Sequence, residues 1–294
     1  MSTMIYDAFL FFNELELLEL RLHELDEVVD RFVIVEATTT FTNRPKPLHF
    51  ADNRERFAAF AHKIIHVVVE DSPHTPNAWA IEDFQRGCIG RGFARCASDD
   101  LVMVSDVDEI PRPEKVRQAA AALPFRNGPL AAAWHALLRR RPVARLLRRL
   151  YKKKGHPYLR MFEQTVYAYY INCRSDQSAW YGTRMMRYRD YIDAIETRRW
   201  KGAIVADGGW HFTYMGGVDR IREKLNSFSH QEFNTPAITD PQRLEALVGA
   251  GQDILGLGLT YRFVPVDESF PRYLRKHPEK FAHWLGAKPE GASA

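Results

Sequence analysis

The sequence predicts an α/β fold, and two observations carry that reading. A strand, a helix and a second strand follow one another directly from the N-terminus, the order of a right-handed βαβ unit in a parallel sheet. Apolar runs bounded by polar residues then alternate with helical periodicity as far as residue 110.

Residues 5–12 are a short apolar, aromatic run suited to a first strand. Asn13 is placed to cap a helix starting at Glu14, with Glu14 and Glu16 in the first turn where the helix dipole favours acids. Leu15, Leu18, Leu22 and Leu25 recur at helical spacing and lay one face on the sheet. Phe32-Val33-Ile34-Val35, ending in Glu36, is the second strand. Residues 38–47 contain Asn43 and two prolines and read as loop. A short helix over 53–61 and a third strand over 64–69 follow. A helical pattern runs from Trp79 to Arg95 despite Gly87, Gly90 and Gly92. After an apolar strand at 101–105, Pro113-Glu114 opens a short helix reaching Ala122. Farther on, 166–171 is aromatic and β-like, 203–205 is strand-like and 220–228 is helical. A last helix is expected over 272–285. Without repeats or low-complexity linkers, the reading is one domain over 1–285, with a basic insertion near 135–157 and a loose tail at 286–294.

Hydrophobic residues at 46% and charged residues at 27% exclude a disordered or fibrous chain. The N-terminus lacks a signal-peptide pattern, and no run approaches the ~20 apolar residues of a spanning helix. Three cysteines, odd in number and without metal-ligand spacing, read as reduced thiols. The expectation is a soluble, cytoplasmic protein. Its net charge of +4 is local: nine Lys and Arg lie between Arg139 and Lys154, and without them the chain stands at −5.

Leu101-Val102-Met103-Val104-Ser105 is almost wholly apolar, and Asp106-Val107-Asp108-Glu109 follows at once. Three carboxylates thus emerge at the carboxyl end of a buried strand, where ligands of open α/β sheets bind. Like charges raise one another's pKa unless a cation lies among them. Hard oxygen ligands there suit Mg²⁺ or Mn²⁺ bridging to a substrate diphosphate. The plain alternative is a solvated acidic turn.

Several segments together resemble one family. They are Phe12-Asn13-Glu14-Leu15-Glu16-Leu17-Leu18, Arg21-Leu22-His23-Glu24-Leu25, Val28-Val29-Asp30-Arg31-Phe32-Val33-Ile34-Val35-Glu36, Lys46-Pro47-Leu48, Asp106-Val107-Asp108-Glu109-Ile110-Pro111 and Gly209-Trp210-His211. In these the chain resembles the β-1,4-N-acetylglucosaminyltransferases that add bisecting GlcNAc to N-glycans, glycosyltransferase family 17, which has bacterial members too. The resemblance runs from about Asp7 to Leu285, strongest over the first 50 residues and the acidic motif, weaker between 118 and 200. It implies a GT-A-type nucleotide-sugar-binding fold with a central, mostly parallel sheet flanked by helices. It also implies an inverting transfer of a sugar, GlcNAc from UDP-GlcNAc, to a hydroxyl of a glycan or lipid-linked acceptor, with Mn²⁺ or Mg²⁺ on the Asp-x-Asp motif. Asp108 would be the direct metal ligand and Asp106 would lie nearer ribose and sugar, with Glu109 orienting them.

Further candidates come from position. His211, behind Gly208-Gly209-Trp210, could complete the metal shell or meet the diphosphate, the glycines letting backbone approach phosphate. It could equally pack beside a core tryptophan. Asn13 and Glu14 at the first strand–helix junction, and Glu36 at the end of the second strand, stand where a nucleotide's ribose and base rest. Capping and a surface salt bridge are the alternatives. Arg86, on the helix before the acidic strand, suits a phosphate or a solvated helix face. An inverting transfer needs a general base; Glu232 is the first candidate and Asp207 the second.

Leu146, Leu147 and Leu150 among their arginines make the basic segment an amphipathic turn or two. It suits anionic lipid headgroups, at about 1 kcal/mol per nearby basic residue, and so peripheral contact with the inner face of the membrane. It could also be a solvated insertion. Interleaved aromatics and a recognised module are lacking, so no nucleic-acid partner is expected. Two other function classes remain. One is a non-catalytic nucleotide-sugar-binding or membrane-docking module. The other is an aspartyl-phosphate-type phosphatase, whose motif follows the first strand and precedes Gly-Thr, unlike Glu109-Ile110 here.

Overall fold

The computed structural model describes residues 3–124, 151 and 154–286. The basic segment between Arg139 and Lys154, and with it the expected membrane contact, lies outside them apart from Tyr151 and Lys154. So does the expected tail beyond residue 286.

The first half alternates as the sequence predicts. β1 (Ile5–Phe11), α1 (Leu15–Leu25), β2 (Arg31–Ala37), α2 (His49–Asp52), β3 (Ile64–Val69), α3 (Ala78–Gly87) and β4 (Leu101–Asp106) come in that order. β5 (Glu109–Pro111) and α4 (Pro113–Ala121) follow. The second half is richer in strands: β6 (Arg160–Ala168), β7 (Cys173–Trp180) and β8 (Arg184–Arg187), then α5 (Ala194–Arg199), β9 (Ala203–Thr213) and α6 (Gly217–Ser227). The chain closes with α7 (Pro236–Thr239), α8 (Pro241–Gly249), β10 (Tyr261–Phe263), α9 (Arg272–Lys276) and α10 (Pro278–Phe281).

These strands make one sheet in the order β10-β7-β6-β8-β4-β1-β2-β3, with β9 parallel to β6 and β5 antiparallel to β9. The part β3-β2-β1-β4 is wholly parallel, the order of half a doubly wound nucleotide-binding sheet. The expected α/β architecture, a central sheet flanked by helices, is what the chain adopts. Its parallel character belongs to the first half; β8, β7 and β10 run antiparallel to their neighbours.

Strand alternation divides the core. Phe9, Phe32, Ile34 and Met103 face one side with Leu18, Leu22 and Val116. Tyr6, Ala8, Val33, Val35, Val102 and Val104 face the other with Ile89, Phe93 and Trp200. Strands covered on both faces are mostly apolar, with Asp7 and Glu36 as the buried exceptions in β1 and β2, which is why they read so clearly as runs.

Boundaries differ from expectation where a specific residue intervenes. Asn13 does not cap α1: its Nδ2 donates to Glu223 Oε2 at 2.7 Å. Glu14 takes the N-cap position, its carboxylate accepting from the backbone N–H groups of Phe12 and Asn13. α3 gives way after Gly87 to a 3₁₀ stretch in which Gly92 packs on Val33; a Cβ there would stand 2.2 Å from Val33 Cγ1. The aromatic run at 166–171 is the end of a strand that begins at Arg160. Pro278 cannot donate its backbone nitrogen, and the expected last helix is broken into α9 and α10. Both return to α1, where Glu19 Oε1 accepts from Tyr273 Oη (2.8 Å) and Lys280 Nζ (2.5 Å) and His23 stacks on Tyr273. Cys88, Cys96 and Cys173 are free thiols. Among the described residues no helix is long and apolar enough to cross a membrane.

Between β1, α1 and the end of β4 lies a charge pair with no solvent access. Arg21 donates to both Asp7 oxygens at 2.7 Å, to Ser105 Oγ at 2.5 Å, and to the carbonyls of Asp106, Val107 and Glu109 at 2.9, 3.2 and 2.8 Å. Its guanidinium also lies 4.5 Å from the Phe9 ring centroid. Removing one partner of such a pair leaves a buried charge without compensation. Arg21→Met is therefore expected to lower the unfolding free energy by about 3–5 kcal/mol, read from urea titration. A loss below about 1 kcal/mol, the level of an exposed pair, contradicts this.

Candidate functional site

β1, β2 and β4 end level: Leu10 pairs with Asp106, and Phe11 with Glu36. Past β4, Val107 and Asp108 turn the chain into β5, where Glu109 lies opposite His211 of β9. Over this edge opens a cavity of about 800 Å³. Its charged lining is Asp106, Asp108, Glu109, Arg86, Arg198 and Lys224, with His211 beside Asp108. Its apolar lining includes Phe41, Trp79, Phe228, Phe233, Leu255 and Leu257. Asp108 and Lys224 also line a smaller cavity, about 200 Å³, shared with Asn13, Glu14 and Arg220.

The acidic motif carries its own counter-ions. Asp106 Oδ1 accepts from Arg86 at 2.7 Å and Oδ2 from Arg198 at 2.9 Å. Burial works to raise the Asp106 pKa, but Arg198 and Arg86 outweigh it and hold the carboxyl at about 2. Arg86 also donates to Glu82 Oε1 (2.8 Å), and Arg198 also bonds both oxygens of Glu109. Asp108 is buried; desolvation opposes its charge, yet Lys224 and His211 push its pKa well below the carboxylate range. Lys224 Nζ lies 3.1 Å from Asp108 Oδ2, and burial, which disfavours its charge, is overcome by Asp108 and Glu14 so that its pKa is raised.

A wall of the site is built on Glu109. Its Oε2 accepts from the backbone N–H of Asp106 (2.8 Å) and its Oε1 from Trp180 Nε1 (2.6 Å). Trp180 in turn stacks on His211, ring centroids 4.8 Å apart. Gly182 makes the room: a Cβ there would meet Glu109 Cδ at 2.3 Å. His211 Nε2 faces Asp108 Oδ2 at 3.7 Å, and its Nδ1 is buried without a partner. The glycines before it serve the sheet rather than a phosphate. Gly209 has φ +155°, and a Cβ would stand 2.2 Å from the Ile110 carbonyl. At Gly208 a Cβ would stand 2.8 Å from Phe162 Cβ.

The structure gathers some of the predicted residues and separates others. Asp106, Asp108, His211, Arg86, Glu14 and Glu232 all line the large cavity. Asn13 reaches only the smaller one, bonded to Glu223. Glu36 is fully buried outside both; its oxygens accept from the backbone of Phe50 (2.8 Å), at the start of α2, and from His66 Nε2 (3.1 Å). Asp207 sits in the β6–β9 bulge at φ 50°, exposed and paired with Arg112 at 3.1 Å, away from both cavities. Glu232 is exposed at the cavity mouth, and its hydrogen bond to His230 Nδ1 (2.6 Å) lowers its pKa. Sequence reasoning missed Arg198, Trp180 and Lys224. Only Lys224 left a trace, as a cation beside the buried helix positions Ile221 and Leu225.

Whether these residues suit a divalent cation turns on the donor set. Asp108 and His211 offer a carboxylate oxygen and an imidazole nitrogen, types that accept Mn²⁺ or Mg²⁺. Asp106 has both oxygens turned to arginines. Among the described residues no group of three or more His, Cys, Asp or Glu converges. A cation here would have two protein ligands and need the rest from substrate phosphate and water, the usual mode for Mg²⁺. To that extent the residues fit.

Residues 1–121 match glycosyltransferase family 17, in keeping with the resemblance read from the sequence; Gly209-Trp210-His211 lies outside that match. The β-1,4-mannosyl-glycoprotein 4-β-N-acetylglucosaminyltransferases of Homo sapiens and Mus musculus are 33% and 32% identical over 107 residues. That stretch is 34% of this chain and only 20% of each relative's length. Among solved structures, M. tuberculosis glucosyl-3-phosphoglycerate synthase aligns over 94% of this chain and 93% of its own, at 14% identity and a TM-score of 0.31. That likeness is too loose to bear on site or function.

The Asp106 carboxyl also sets a pH dependence. Its folded pKa lies below its ordinary 3.8, so its ion pairs stabilise the fold fully above that value and are lost as pH falls toward about 2. Asp106→Asn should therefore be less stable than wild type above about pH 5, with the gap closing toward pH 2, as measured by urea unfolding across that range. A gap that persists undiminished at pH 2 assigns the effect to packing instead.

Proposed function

We propose that this protein is a glycosyltransferase that moves a sugar from a nucleoside diphosphate, UDP-GlcNAc first among them, to a hydroxyl of a glycan or lipid-linked acceptor. The observation that carries this is the neutralised carboxylate cluster at the carboxyl ends of parallel strands, under a cavity of about 800 Å³, in a chain whose residues 1–121 match family 17. The cavity's cations suit a diphosphate and its aromatic lining a sugar face or aglycone.

In this reading Asp108 and His211 would hold Mn²⁺ or Mg²⁺, which would neutralise charge developing on the leaving diphosphate. Arg86 and Arg198 orient Asp106 toward the donor's ribose and sugar. Glu232 accepts the proton of the acceptor hydroxyl as that oxygen bonds the anomeric carbon and the bond to the diphosphate breaks, giving inversion. Its place in the cavity supports it over Asp207. The nine basic residues between Arg139 and Lys154 support attraction to an anionic membrane carrying the acceptor. An aspartyl-phosphate reading has less support: Asp106 stands on the fourth strand with both oxygens hydrogen-bonded, and an attacking oxygen must be free.

Calorimetry with UDP and Mn²⁺ tests the donor site. Wild type should bind UDP in a Mn²⁺-dependent manner and Asp108→Ala should lose that dependence; an unchanged Mn²⁺ effect in the variant removes Asp108 from the site. Glu232→Gln should keep UDP–Mn²⁺ binding while UDP release from UDP-GlcNAc falls about 10²–10⁴-fold. Full turnover in that variant moves the base elsewhere.

A further inference from the structure

The cations around the acidic motif are not equivalent. Arg86 bridges Asp106 and Glu82, and Arg198 bridges Asp106 and Glu109, so each guanidinium is committed to two carboxylates. Lys224 touches one, Asp108, through a single hydrogen bond of 3.1 Å. The oxygen it holds, Oδ2, is the one that faces His211 Nε2 at 3.7 Å. A divalent cation bound by Asp108 and His211 would use that oxygen, and in a largely desolvated site the two positive charges would repel strongly. Lys224 has somewhere to go. Its ammonium rides on a flexible four-carbon stem, and the residue lines both cavities.

We infer that Lys224 is the exchangeable counter-ion of the donor site: its ammonium, hydrogen-bonded to Asp108, passes to the donor's diphosphate when a divalent cation takes the Asp108 oxygen. The inference rests on the metal-dependent reading above and adds to it a specific consequence. Cation and nucleotide should bind cooperatively, because each relieves what the other must otherwise displace, and the coupling must be reciprocal.

The test is a binding cycle on the full chain with Mn²⁺ and UDP as probes, read by calorimetry and by electron paramagnetic resonance of free Mn²⁺. In Lys224→Gln, Mn²⁺ alone should bind about 10-fold more tightly than in wild type, UDP at saturating Mn²⁺ more weakly, and the Mn²⁺–UDP coupling should shrink by about 10-fold or more. Lys224→Arg, which keeps the charge, should retain the coupling. Arg222→Gln removes an α6 cation that lines neither cavity and donates to the Thr239 carbonyl; it should leave Mn²⁺ affinity unchanged, separating contact from net charge. If wild type binds both probes and Lys224→Gln keeps wild-type Mn²⁺ affinity and coupling, the exchange is wrong and the donor-site reading stands. Wild type that binds UDP equally well with EDTA overturns the metal reading and the exchange together.

Discussion

Arg21 is the constraint on which the site depends. It sits on α1 with Asp7 of β1 as its counter-ion, and its remaining donors take the carbonyls of Asp106, Val107 and Glu109. A guanidinium without solvent access must satisfy every donor internally. The acidic turn supplies three of the acceptors through its own carbonyls. The βαβ unit and the turn after β4 are thereby locked together, and the motif's carboxylates are presented at the sheet edge while its backbone is held from below.

The second requirement is charge balance. Three carboxylates within one turn would raise one another's pKa and lose their charge. Here Arg86 from α3, Arg198 from α5 and Lys224 from α6 come in around them. Elements far apart in the chain thus converge because the acids need cations. The Trp180 indole adds a neutral donor to Glu109 and a flat face for His211, and Gly182 leaves space for both. The outcome is a motif in which cations hold the Asp106 and Asp108 carboxyls below the usual carboxylate range.

The cavity draws on both halves of the chain. Phe41 and Trp79 of its apolar lining precede β4, while Phe228, Phe233, Leu255 and Leu257 follow β9, so its walls close only when the second half docks on the parallel half.

The first half of the fold was legible in the chain because β1, β2 and β4 are buried on both faces and the α1 leucines pack into the core, and such burial writes itself as runs and as 3.6-residue spacing. Within the site, Asp106, Asp108 and Arg86 were legible for the same reason, being anchored to strong elements next to them in sequence. The second half was less so: β6 starts before its aromatic run, and a proline splits the last helix. Arg198, Trp180 and Lys224 could not be found by pattern, since a charged residue on a short helix or an aromatic at a strand end looks the same whether it meets solvent or a carboxylate. Asp207 and Glu36 show the converse, acids in promising positions that the fold spends on Arg112 and on the start of α2. Local periodicity is set by which face of an element is buried, and the sequence alone determines that. Which side chains meet across the sheet edge is set by the docking of distant elements, driven here by the need to neutralise buried charge, and only the tertiary structure decides it.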